Sequence, residues 1–197
     1  MFKKENLTIP NFLSLSRLVF LPLLFVFIIK DMRLAFLIGY IILGSTDYFD
    51  GLIARKFNQK TDLGKTLDSF ADIFFYVSSA YFLYKLAPAS IAANKIMLIA
   101  FFILFGLSFV VSAIWCKKPI MMHTSLLRLN GILVYFLVIL AYFSFNPIIS
   151  IITTIAIAIV LVIYYIGFIE EIIIFIKYGE VDPDTPSILS LMKNKED

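Results

Sequence analysis

Asp47-Tyr-Phe-Asp50-Gly51-Leu-Ile-Ala54-Arg55, followed after eight residues by Gly64-Lys-Thr-Leu-Asp68-Ser-Phe-Ala-Asp72, is the stretch on which the reading of this chain turns. Five of the nine aspartates fall between Asp47 and Asp72. Asp47 and Asp50 are three residues apart and Asp68 and Asp72 four, so each pair shares one face of a helix. Apolar sequence flanks them, Leu34 to Leu43 before the first pair and Ile73 to Leu86 after the second. A carboxylate at a bilayer centre costs roughly 2.5–3.5 kcal/mol, and less near the interface. Four that converge also repel one another unless a multivalent cation or basic side chains neutralise them. The pattern asks for a divalent metal at a membrane interface.

The rest of the chain supplies the membrane. Of 197 residues, 61% are hydrophobic and 16% charged, with a mean hydropathy of +0.95. Soluble domains run about 45–50% apolar and about 25% charged. The expected fold is therefore an all-α integral membrane bundle. A net charge of +3 gives no reason to expect nucleic acid as a partner. Cys116, the single cysteine, cannot form an intrachain disulfide. Asn11 to Ile29 is long and apolar enough to be retained as a first span, with no small-residue cleavage site behind it.

Six transmembrane helices are expected, at about 12–29, 34–53, 66–86, 94–115, 125–144 and 147–169, each near the roughly 20 residues a bilayer requires. A short interfacial segment precedes them. Residues 1–176 form the membrane domain and 177–197 a polar cytoplasmic tail, read as an interfacial helix followed by disorder. Eleven basic residues (Lys3, Lys4, Arg55, Lys56, Lys60, Lys65, Lys117, Lys118, Lys177, Lys193 and Lys195) fall on one side of this layout. Four, Lys30, Arg33, Lys85 and Lys95, fall on the other. The positive-inside rule then puts both termini and the aspartates on the cytoplasmic side of a cell membrane. Pro22 is expected to kink the first span and open a groove for lipid tails. Gly39, Gly44, Gly106 and Gly131 permit close helix contacts. Glu170 and Glu171 are expected to close the sixth span.

With its gaps, the central stretch is D-x2-D-G-x2-A-R-x8-G-x3-D-x3-D. At all eight fixed positions it resembles the signature of the CDP-alcohol phosphotransferase family, whose members join a CDP-activated lipid to an alcohol and release CMP. The motif's place between the second and third spans resembles the family too. The resemblance implies an enzyme with two Mg²⁺ or Mn²⁺ ions. Asp47, Asp50 and Asp68 would be metal ligands, and Asp72 would be shared between metal and the proton of the attacking hydroxyl. It also implies a CDP pocket with Asn11, Ser14 and Thr61 on its wall, and a homodimer. The chemistry agrees. Hard divalent cations prefer oxygen ligands and are commonly held by carboxylates plus substrate phosphates, where paired ions polarise the phosphorus. Gly51 and Ala54 would let a nucleotide approach the backbone, Arg55 would reach a phosphate with its fork of donors, and Gly64 suits a tight turn into the third span.

The opening Ile9-Pro10-Asn11-Phe-Leu-Ser14-Leu-Ser16-Arg17 resembles the start of phosphatidylglycerophosphate and cardiolipin synthases. Their acceptors carry phosphate, so cationic side chains are expected near the site, with Arg17, Lys117, Lys118 and Arg128 as candidates. The implied reaction moves a phosphatidyl-type group from CDP-diacylglycerol, or an ether analogue, to glycerol 3-phosphate. Phosphatidylglycerol, serine and inositol phosphate are the alternative acceptors. One position departs: Ile73 stands where the glycerophosphate enzymes usually place Lys. Three other readings compete. Arg55, Lys56, Lys60 and Lys65 could simply neutralise the aspartates in a structural ion network. An intramembrane prenyltransferase would need a second aspartate-rich motif, yet after Asp72 the next aspartate is Asp182. A divalent-cation transporter would need carboxylates near mid-membrane along a polar path, which spans four to six lack.

Overall fold

Several of the long apolar runs become helices that begin at a side-chain cap. The structure, a computed structural model, describes residues 8–57, 61–117, 122, 124–182 and 185–193, apart from the side chains of Tyr48, Gly51, Ala54, Arg55, Asp62, Leu63, Lys65, Ser69 and Lys193. Helix α1 (Ile9–Ile29) begins behind Thr8, whose hydroxyl accepts the Asn11 N–H at 3.3 Å, with Pro10 in the first turn. Helix α2 is Arg33–Lys56. Helix α3 (Asp62–Leu86) begins behind Thr61, whose hydroxyl accepts the Gly64 N–H at 2.9 Å. There follow α4 (Pro88–Ala93), α5 (Lys95–Trp115), α6 (Ser125–Tyr142), α7 (Pro147–Tyr178) and α8 (Ile188–Lys193). Asn146 caps α7 by accepting the Ile148 and Ile149 N–H groups at 2.9 and 3.4 Å, and Pro147 opens the helix. No strand occurs among the described residues.

Among the described residues, four helices, α1, α5, α6 and α7, are long and apolar enough to cross a membrane. The chain is thus a multi-pass membrane protein. Helices α2 and α3 have 24 and 25 residues, ample to cross by length, but they carry the aspartates and so read as less apolar. By internal contacts the chain divides into two units, 1–87 with 138–143, and 88–137 with 144–197.

In the first unit α1 lies along both α2 and α3, which touch each other far less. The α1–α2 turn closes tightly: Asp31 takes a left-handed φ of 55°, the Met32 N–H returns to the Phe27 carbonyl at 2.8 Å, and Asp31 accepts from Arg33 Nε at 2.8 Å. Below the aspartates the three helices share an aromatic core. Phe82, fully buried, has ring centroids of Phe25 and Phe36 at 4.8 and 5.0 Å. Tyr40 stacks on Phe75 at 5.1 Å and donates its hydroxyl to Ser79 Oγ at 2.9 Å, which donates in turn to the Phe75 carbonyl at 2.8 Å. Helix α1 continues unbroken through Pro22, which is exposed.

Two glycines set how closely α1 seats. A Cβ on Gly39 would lie 2.8 Å from Leu24 Cδ2, as expected of a contact glycine. A Cβ on Gly64 would lie 2.4 Å from Asn11 Oδ1 and 2.9 Å from Thr61 Oγ1. Gly64 therefore serves close packing in the first turn of α3, where the sequence suggested a turn. Gly106 differs from Gly39: nothing lies within 4 Å of its Cβ position.

In the second unit α5 and α7 run in the same direction. Asn94 Nδ2 donates to the Thr154 carbonyl at 3.1 Å, the Tyr165 hydroxyl donates to the Met97 carbonyl, and Ser108 Oγ donates to Glu171 Oε2 at 2.7 Å. Helix α7 does not end at 169, because Glu170 and Glu171 are used internally. Buried Glu171 also accepts the Met122 N–H at 2.7 Å, and Glu170 accepts the Ile188 N–H at 2.9 Å. Gly179, at φ 70°, stops the helix. The tail then folds back, with Val181, Ile188 and Leu191 against Val111, Cys116, Met122, Ile174 and Phe175. So the tail carries a helix, α8, packed on α5 and α7, where the sequence suggested an interfacial helix followed by disorder.

Two measurements check this packing. Phe82→Ala removes a ring held on all sides, and thermal unfolding of the purified protein should register a loss of roughly 3–5 kcal/mol; an unchanged Tm would contradict the aromatic core. Gly64→Ala should cost about 1–3 kcal/mol by overpacking, while Gly106→Ala should leave Tm unchanged or raise it. Equal effects at the two glycines would contradict the seating of α1 on α3.

Candidate active site

Arg17 is the only charged residue in α1. The buried residues Pro10, Ser14, Arg17, Leu21 and Leu24 recur at alternating spacings of four and three, and so form one stripe. Its far half is apolar, and its near half brings Ser14 and Arg17 to the level of the aspartates. Nη1 of Arg17 donates to Asp47 Oδ1 at 3.1 Å and to Asp72 Oδ1. Nη2 donates to Asp50 Oδ2 at 2.7 Å and to Asp68 Oδ1 at 3.4 Å. Each terminal nitrogen thus takes one carboxylate from α2 and one from α3. Nε is buried and has no hydrogen-bond partner.

The helical spacings deliver what they predict. Asp47 and Asp50 come from one face of α2, Asp68 and Asp72 from one face of α3, and all four meet on one guanidinium. Carboxylate oxygens of Asp47, Asp50 and Asp68 lie within 4.8 Å of one another. Oxygens sharing one hard cation at about 2.1–2.5 Å lie no more than about 4–5 Å apart, so this donor set fits a divalent metal in chemistry and in size. The floor is closed: the Asp50 side chain is 4% exposed and also accepts the Ser14 hydroxyl at 3.1 Å. The mouth is open, with the side chains of Asp47, Asp68 and Asp72 48%, 43% and 36% exposed. Among the described residues four carboxylates share one guanidinium, and the side chains of Arg55, Lys60 and Lys65, three other candidate neutralising cations, lie outside those residues.

Beside this cluster, Asn11 Nδ2 donates to Thr61 Oγ1 at 3.1 Å over Gly64. Asn11, Ser14, Thr61 and Gly64, named from the sequence, therefore lie with the aspartates. Gly51, Ala54 and Arg55 belong to the last turns of α2, and their side chains lie outside the described residues. Lys117 is exposed after α5, Arg128 lies in the first turn of α6, and Lys118 lies outside the described residues. Arg17, expected beside a phosphate-bearing acceptor, has the four aspartates as partners. Nor is Lys56 the neutralising cation: it is exposed, with Nζ 6.0 Å from the Phe57 ring. The signal for Arg17's place was the lone charge in an apolar helix, which demands a counter-charge.

Comparison with known proteins agrees with this geometry. The sequence pattern of the family described as CDP-alcohol phosphatidyltransferase matches residues 7–176. A CDP-diacylglycerol–glycerol-3-phosphate 3-phosphatidyltransferase of Aquifex aeolicus is 44% identical over 66 residues, 34% of this chain and 37% of that protein. An enzyme of the same name from Rickettsia bellii is 39% identical over 71 residues, 34% of this chain and 38% of the other. A cardiolipin synthase (CMP-forming) of Streptomyces coelicolor is 39% identical over 82 residues, 37% of each. These matches span less than two fifths of the relatives' own length. No solved structure matches significantly. With the family pattern running through most of the chain and its four aspartates gathered on one guanidinium, this protein belongs to the CDP-alcohol phosphatidyltransferase family.

Proposed function

We propose that the protein transfers a phosphatidyl-type group from a CDP-lipid to glycerol 3-phosphate and releases CMP. The observation that carries this reading is the convergence of Asp47, Asp50, Asp68 and Asp72 from two helices within reach of one cation. Relatives named for that transfer support the choice of acceptor.

Asp47, Asp50 and Asp68 would hold the metal, with Asp72 shared between metal ligation and the proton of the acceptor hydroxyl. Bound there, two Mg²⁺ or Mn²⁺ ions would polarise the pyrophosphate and neutralise charge on the departing phosphate. The acceptor hydroxyl attacks the lipid-side phosphorus, Asp72 takes its proton, and the bond to CMP breaks. Asn11, Ser14, Thr61, Gly51, Ala54, Arg55 and Gly64 serve the CDP side, where small residues leave room and polar ones meet the nucleotide. Lys117, Lys118 and Arg128, with Arg17, are the candidates on charge for the acceptor's phosphate. In this reading α2 and α3 cross the bilayer too, giving six spans. Residues 1–176 form the membrane domain of a cell-membrane homodimer, with the aspartates and the 177–197 tail facing the cytoplasm.

Purified protein given CDP-diacylglycerol, Mg²⁺ or Mn²⁺, and glycerol 3-phosphate should release CMP, and chelation should stop it. Serine, inositol phosphate and phosphatidylglycerol should serve less well. Asp47→Asn and Asp72→Asn should each lower CMP release by at least about 100-fold while the protein stays folded. Full activity in either folded variant would refute the assignment, and a stronger response to serine or inositol phosphate would reassign the acceptor.

A further inference from the structure

We infer that Arg17 is an exchangeable counter-cation: its guanidinium keeps the four carboxylates together without metal and withdraws when metal enters. The inference rests on the proposal that these aspartates bind a divalent ion. Its ground is occupancy. The two terminal nitrogens of Arg17 already engage all four carboxylates, at 3.1 Å for Asp47, 2.7 Å for Asp50 and 3.4 Å for Asp68. The oxygens of these three, within 4.8 Å of one another, outline a space the size of one ion's ligand shell. A divalent ion bound by these oxygens would be a close neighbour of the guanidinium, and the two like charges would repel. The oxygens serve one cation or the other.

The way Arg17 is held suits exchange. Its side chain is 2% exposed, yet its Nε makes no hydrogen bond, so the aspartates grip the guanidinium only at its tips. The stem is a flexible chain rooted in α1, and the carboxylates it would release are anchored on α2 and α3. On the side of Asp47, Asp68 and Asp72 the cluster is open, so an ion can arrive from solvent. In the absence of metal the guanidinium prevents four acid groups from driving α2 and α3 apart. In its presence the same charge is a competitor, which weakens metal binding.

The sign of one measurement separates this from a fixed scaffold. Mn²⁺ binding to the full-length protein in detergent can be read by electron paramagnetic resonance of the free ion, beside thermal unfolding with and without EDTA. Arg17→Gln should bind Mn²⁺ at least about tenfold more tightly than wild type. Its Tm in EDTA should be lower and should rise further on adding Mn²⁺. Arg17→Lys, which keeps the charge but cannot grip four carboxylates, should fall between the two and serves alone if the glutamine variant does not fold. Affinity in the variants equal to or weaker than wild type would overturn the inference, because it would make Arg17 a scaffold that coexists with the ion. Mn²⁺ binding by no form of the protein would overturn the metal reading along with it, whereas equal binding by all forms overturns only the exchange.

Discussion

From α1 the guanidinium of Arg17 reaches between α2 and α3 and takes one carboxylate of each helix on each of its two terminal nitrogens. Much else in the first unit serves that contact. Four aspartates at the ends of apolar helices are tolerable only with positive charge among them, because in low dielectric both desolvation and mutual repulsion are large. Arg is suited to this: it stays charged, and its planar fork binds several carboxylates at once. Gly39 and Gly64 let α1 come close enough to both neighbours, and the Phe25, Phe36, Tyr40, Phe75 and Phe82 rings fix the three helices below.

The same geometry supports the proposed metal-binding role of the cluster. A purely structural network would match its charges. Here, among the described residues, three of the four carboxylates that share Arg17 remain substantially exposed. The buried member, Asp50, is tied to the floor by Ser14 and Arg17, which gives the cluster one fixed carboxylate and three accessible ones. A site that is firm beneath and open above can accept an ion and a phosphate-bearing ligand from water.

What was legible in the sequence follows from what is local. Spacings of three and four residues are fixed by the helix itself, so the pairing of Asp47 with Asp50 and of Asp68 with Asp72 could be read directly. The start of α7 behind Asn146 is local too, whereas the helices behind Thr8 and Thr61 begin earlier than the spans read at 12 and 66. Arg17 was read as a candidate for the acceptor's phosphate, because which anion it meets depends on where α1 lies. The role of Gly64 likewise depends on Asn11, more than fifty residues earlier. Glu170 and Glu171 looked like a helix end because adjacent carboxylates favour water. They instead lie within α7, since Ser108, Met122 and Ile188 supply the donors. Among the described residues four helices are long and apolar enough to span, where the sequence suggested six.

The most direct test of the central claim is a structure of the full chain determined with Mn²⁺ and its anomalous scattering. The account predicts anomalous density between α2 and α3, in direct contact with carboxylate oxygens from both helices. A well-ordered protein with Mn²⁺ bound elsewhere, and none among Asp47, Asp50, Asp68 and Asp72, would contradict it.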